Sequence, residues 1–105
     1  MKITENEWAV ETVEEVCGLY FRSVLLLKAG VKIPQHIHTH SHANYCGAGS
    51  AEYWEDGTLL RTVKAGDAIE VKAGKYHEFI ALEDNTRLTC VHDVASANAI
   101  KEKGL

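Results

Sequence analysis

Histidine occupies every second position from His36 through His38 and His40 to His42, so one short run holds four of the chain's six histidines. Strict alternation is the side-chain period of a β-strand, and alternate side chains share a face. Neutral imidazole is the commonest protein ligand for metals, and two on one face begin a site for a transition ion. Strand geometry limits the set. Alternate residues lie ~6.7 Å apart, so His36 and His38 can reach one ion together. On a straight strand His36 and His42 would be roughly 20 Å apart, too far to share it. Either the chain bends around Thr39 to Ser41 and brings His42 back, or at most three of the four ligate. Threonine and serine suit a turn, which favours the bend.

The other side chains able to do chemistry are scattered. His77 stands alone in its stretch. His92 alternates with Leu88 and Cys90, the phase of a packed or rim histidine more than of a ligand. Cys17, Cys46 and Cys90 are odd in number, widely spaced and without a CxxC pair. They read as reduced thiols, not as a disulfide framework or zinc ribbon. Asn44, Cys46 and Ala48 share the phase of His42 and should line its cavity. Cys46 is then a ligand for a soft metal or, the favoured reading, a small buried apolar residue. His40, in the bend, is expected to be exposed or just behind the ligands, with displacement of His36 or His42 as the alternative. Tyr45 and Glu70 are of proton-transferring types, and with Trp54 and Phe79 they are candidates for shaping a pocket. Trp54 and Phe79 read as core, and no residue is singled out as catalytic.

The elements that must position these groups are strands. Leu19 to Lys28 is apolar with β-branched and aromatic residues and closes at the turn Lys28-Ala29-Gly30. Leu19, Phe21, Leu25 and Leu27 share one phase and Tyr20, Arg22 and Lys28 the other, which makes the apolar phase the inward one. Ile33 to His38 follows, with Pro34 near its start, where a missing N–H is tolerated. Ala43 to Trp54 carries Gly47 and Gly49, which mark a bulge or bend. Glu55-Asp56-Gly57-Thr58 is a tight hairpin turn. Leu59 to Val63 and Ala68 to Val71 are strands between glycine turns, and Tyr76 to Leu82 with Arg87 to Val94 forms a last hairpin. Residues 1–18 are acidic and form a short strand or a turn of helix. From Ser96 a short helix is expected, with Ser96 as N-cap and Gly104 past its end. Short strands with turn signals every eight to twelve residues predict an all-β sandwich or barrel.

The bulk properties narrow the function. At 105 residues the chain is one domain. Its 25% charged and 46% hydrophobic residues are those of a soluble globular protein. A net charge of -4 with no basic stripe argues against nucleic acid. Apolar runs such as Val24 to Leu27 are too short to span a bilayer. The acidic N-terminus lacks the pattern of a signal peptide, and a cytoplasmic location is the expectation.

Two stretches then match a family pattern. Gly30 is followed after five residues by His36-Ile37-His38, after three more by His42, and after six by Gly49. Gly66 leads after five residues to Lys72-Ala73-Gly74, after two to His77, and after three to Ala81. This resembles the two motifs of the cupins, small jelly-roll β-barrels that hold one metal ion inside. His42 replaces the family's glutamate, Lys72 its proline and Ala81 its asparagine; only His42 stands at a ligand position. The resemblance implies a single cupin domain over 1–105, with an N-terminal segment (1–18), a barrel (19–94) and a C-terminal tail or helix (95–105). It implies the ligand set His36, His38, His42 and His77 around one divalent ion, whose identity among Fe, Ni, Cu, Zn and Mn stays open. Four neutral imidazoles would leave that ion its full +2 charge, a stronger Lewis acid than one with a carboxylate ligand.

All-histidine cupin sites are associated with iron-dependent dioxygenases, so the resemblance implies a metal-dependent enzyme acting on a small organic molecule. Isomerase or lyase chemistry uses the same site. The competing readings are a non-catalytic module that binds a small molecule or metal, and a cupin whose cage is vestigial. A homodimer is expected as well. In the strand from Tyr76 to Leu82, Tyr76, Ile80 and Leu82 are apolar on the face opposite His77, Phe79 and Ala81, and both faces want cover. The segment around Trp8, from the same chain or a partner, is the candidate cover.

Overall fold

The computed structural model describes residues 2–34 and 40–93. Those residues form ten strands: β1 (Lys2–Glu5), β2 (Ala9–Val16), β3 (Leu19–Leu26), β4 (Lys32–Pro34), β5 (His42–Ala48), β6 (Ser50–Glu55), β7 (Thr58–Lys64), β8 (Ala68–Val71), β9 (His77–Ala81) and β10 (Thr86–Asp93). They pair antiparallel into a six-stranded sheet, β1-β2-β3-β10-β5-β8, and a four-stranded sheet, β4-β9-β6-β7. The fold is the expected all-β barrel of jelly-roll type. The expected C-terminal helix lies outside the described residues. The acidic N-terminal segment is strand and not helix: β1 and β2 extend the larger sheet along β3.

The turns follow the glycine chemistry of the sequence. Asp56 (φ 49°) and Gly57 (φ 79°) are both left-handed, the geometry that matches the twist of a two-residue hairpin between β6 and β7. The bend expected between Ala43 and Trp54 falls at Gly49 and divides the stretch into β5 and β6. Gly49 (φ 70°) lets the chain leave the larger sheet as β5 and enter the smaller one as β6. A Cβ at Gly49 would run into the hydroxyl of Thr86 and lie 2.9 Å from its Cα. That hydroxyl donates to the Glu83 carbonyl (2.9 Å) and accepts from the Ser50 N–H (3.4 Å), so the crossing is tied to the turn before β10.

The core fills the space between the sheets. Val24 and Leu26 of β3, Cys46 of β5, Ala51 and Tyr53 of β6, Val63, Val71, Phe79, Ala81 and Leu88 are all buried there. On β3 the inward phase is Tyr20, Val24 and Leu26, the reverse of the expected one. Leu19 and the half-buried Phe21 and Leu25 face outward instead. The polar members Tyr20 and Arg22 misled the reading, because one end of this interior is itself polar.

Candidate metal centre

Each of the strands that meet in the interior changes character along its length. On β10 the inward residues run Leu88, Cys90, His92; on β5 they run Cys46, Asn44, His42; on β9 they run Ala81, Phe79, His77. The register aligns these gradients. Leu88 lies beside Val24 and Cys46, while Cys90 lies beside Arg22 and Asn44. One end of the barrel is therefore hydrocarbon and the other gathers imidazoles, a thiol and an amide out of contact with bulk water.

At the polar end His42 and His77 start strands in opposite sheets and face one another, with ring centroids 6.1 Å apart. They are 7% and 0% exposed. His92, 6% exposed, stacks closer to His42 at 4.4 Å between centroids. His40 sits at the rim, its Nε2 3.1 Å from Nδ1 of His92. The Nδ1 of His42 donates to the Ala43 carbonyl at 3.0 Å, which leaves Nε2 as the lone-pair nitrogen, the tautomer a metal ligand needs. Burial, the largest influence, holds the His42 imidazole below its ordinary pKa, and the nearby His40 and Arg22 act in the same direction. Buried, neutral imidazoles converging from two sheets are a donor set that fits a transition ion.

The expected site residues divide as follows. His42 and His77 are brought together, and His36 and His38 lie outside the described residues. His40 takes the position behind another histidine that the bend reading allowed. Cys46 is a buried packing residue whose thiol donates to the Ala48 carbonyl at 3.4 Å. Glu70 is exposed and pairs with Ala43 on the outer face of the larger sheet, and Tyr45 is 45% exposed on that same face. Glu70 lines a surface pocket together with Ser41 and His42. Phe79 is core as expected; Trp54 is only half-buried, and its Nε1 bonds Glu52.

A donor pair and one tyrosine escaped the sequence reading. Donor atoms of His92, Cys90 and His42 all lie within 4.8 Å of one another. The clue was present: Cys90 and His92 are two apart, hence on one face, but a pair on a terminal strand looks like packing. The tyrosine is Tyr53, buried beside Phe79 with its ring 6.5 Å from that of His77. Its hydroxyl donates to Glu55 (3.2 Å), the cross-strand neighbour of His77, and burial followed by the Glu55 charge holds the phenol far above its usual pKa.

Comparison with known proteins agrees with this fold. The cupin domain family matches residues 23–92. The chain is a cupin. Among solved structures it is similar to KdgF from Halomonas sp., with TM-score 0.69 and 19% identity over 87% of this chain and 84% of that one. It is also similar to oxalate decarboxylase from Bacillus subtilis, with TM-score 0.73 and 22% identity, covering 88% of this cupin and 27% of the decarboxylase chain. These likenesses are likenesses of fold. No curated protein sequence matches the chain. No helix among the described residues is long and apolar enough to cross a membrane.

Proposed function

We propose that this cupin holds one divalent transition ion through His36, His38, His42 and His77 and acts on a small organic molecule beside it. The observation that carries the reading is the pair His42 and His77, buried in opposite sheets with ring centroids 6.1 Å apart. Two facing imidazoles buried in opposite sheets are a donor set suited to a transition ion. A divalent ion there would supply Lewis acidity and, if redox-active, electron transfer. The protein's own groups set the surroundings. Val71, the cross-strand neighbour of His42, and Phe79, two residues along β9 from His77, are fully buried, and Tyr53 holds Glu55 beside His77. The all-histidine set supports an iron-dependent, dioxygenase-type reaction. The solved oxalate decarboxylase, described with Mn(II) centres, supports the wider statement that this fold hosts metal chemistry on small acids.

One observation favours a second reading, a binding module without turnover. Tyr45 and Glu70, the candidates of proton-transferring type, both lie on the outer face. Oxygen uptake by Fe(II)-loaded protein, screened across small acids, diketones and thiols, separates the two. Substrate-dependent uptake supports the enzyme. Saturable ligand binding with no uptake and no product supports the module.

A further inference from the structure

We infer that the ion site reaches onto β10, where Cys90 binds as a thiolate together with His92 and His42, making this a site for a thiophilic ion such as Zn(II) or Cu(I). The inference rests on the reading that the polar end of the barrel binds a transition ion, and it changes which residues hold that ion. Three observations support it. The donor atoms of His42, Cys90 and His92 already lie within 4.8 Å of one another, and all three residues are buried. Bonds of ~2.0 Å to nitrogen and ~2.3 Å to sulfur place ligand atoms about 3.5 Å apart, so closure needs movements of roughly an ångström. Two of the three are fixed from behind: Nδ2 of Asn44 donates to the Cys90 sulfur at 3.3 Å, and His40 holds His92 at 3.1 Å. Outer partners of this kind orient ligands and tune them, and an N–H directed at sulfur favours the thiolate.

Charge is the third observation. A set of neutral imidazoles leaves a divalent ion at +2 in a low-dielectric interior, and the three-residue cluster contains no carboxylate. Cys90 is the group within it able to become an anion. In the metal-free protein burial, foremost, pushes the thiol up. Ligation therefore forms a metal–sulfur bond and sends the thiol proton to solvent. Cys46 has no comparable arrangement, since its thiol is directed at the backbone carbonyls of Ala48 and Gly49. With sulfur in the set, preference moves away from Mn(II) toward Zn(II) and Cu(I).

The experiment is anaerobic titration of untagged, reduced protein with Co(II), read by absorption. A thiolate ligand gives an intense sulfur-to-cobalt charge-transfer band in the near ultraviolet, whereas an all-imidazole site gives only weak d–d bands. The expected result is one equivalent of the intense band in the wild type. It should persist in Cys17→Ser/Cys46→Ser, which keeps Cys90 as the sole thiol, vanish in Cys90→Ser, and bleach when Zn(II) is added. Cobalt bound with d–d bands alone would overturn the inference and leave the four-histidine reading standing. A band that survives Cys90→Ser would overturn it too. An intense band kept in His36→Ala/His38→Ala would uphold the inference while removing the four-histidine set, and no cobalt binding at all would overturn both. Should Cys90→Ser not fold, the wild-type and double-variant spectra still decide the question.

Discussion

His92 and His42 lie in the larger sheet with ring centroids 4.4 Å apart, and neither is more than 7% exposed. His42 comes from the first motif-bearing stretch and His92 from β10, so the polar end is closed by residues 50 positions apart in the chain. The burial of His42 has a consequence for stability.

In the metal-free protein His42 has a pKa lowered from 6.5, chiefly by burial. Below pH 6.5 the unfolded chain takes up a proton there while the folded chain still refuses it. The unfolded state then binds more protons, so stability falls as the pH falls through and below this value. Melting temperatures of metal-free protein should drop between pH 7.5 and 5.5, and His42→Gln should flatten the slope. Bound metal should likewise be released between about pH 6 and 5, where free imidazole protonates. A melting temperature that stays constant across that range in the metal-free wild type would contradict the burial argument.

The crossing between the two sheets depends on Gly49. Gly49→Ala puts a methyl against Thr86 and forces a left-handed φ on an L-residue, which should cost about 2–4 kcal/mol. Gly57, also left-handed but facing open space, should cost only about 1–2 kcal/mol as alanine. Urea denaturation of both variants makes the comparison, and equal losses would show that the contact with Thr86 does not matter.

Assembly is the third expectation. Tyr76 and Leu82, which flank β9 at its two ends, are 45% and 44% exposed, and Trp8 is exposed as well. Apolar side chains of this size left exposed favour pairing with a second copy. Light scattering at micromolar concentration should give twice the 11.6 kDa chain mass, and Tyr76→Glu should reduce it to the single-chain value. A monomeric wild type would remove the dimer from the account.

The fold was legible because turns announce themselves: Asp56-Gly57, Gly66 and Gly74 each break the chain where a left-handed residue is needed. The inward phase of β9 was legible too, since His77, Phe79 and Ala81 alternate with residues that remain outside. The phase of β3 was not. Its inner face passes from Leu26 to Tyr20 as it approaches the polar end, so hydrophobicity alone points the wrong way there. Membership of Cys90 and His92 in the donor cluster was hidden for a related reason. Alternation places them on one face, but only the pairing of β10 with β5 brings that face to His42. Long-range register of that kind is not written in local sequence.

The central claim is that an ion sits at the buried histidines and that His42 is one of its ligands. Metal content per chain, measured by elemental analysis on untagged wild type, His42→Ala, His40→Ala and His42→Glu, tests it most directly. The account predicts close to one ion per chain in the wild type, a severe loss in His42→Ala, little change in His40→Ala, and retention in His42→Glu, where a carboxylate replaces the imidazole. Full occupancy in His42→Ala with loss in His40→Ala would contradict it, since the ligand would then be the rim histidine and the buried one a packing residue.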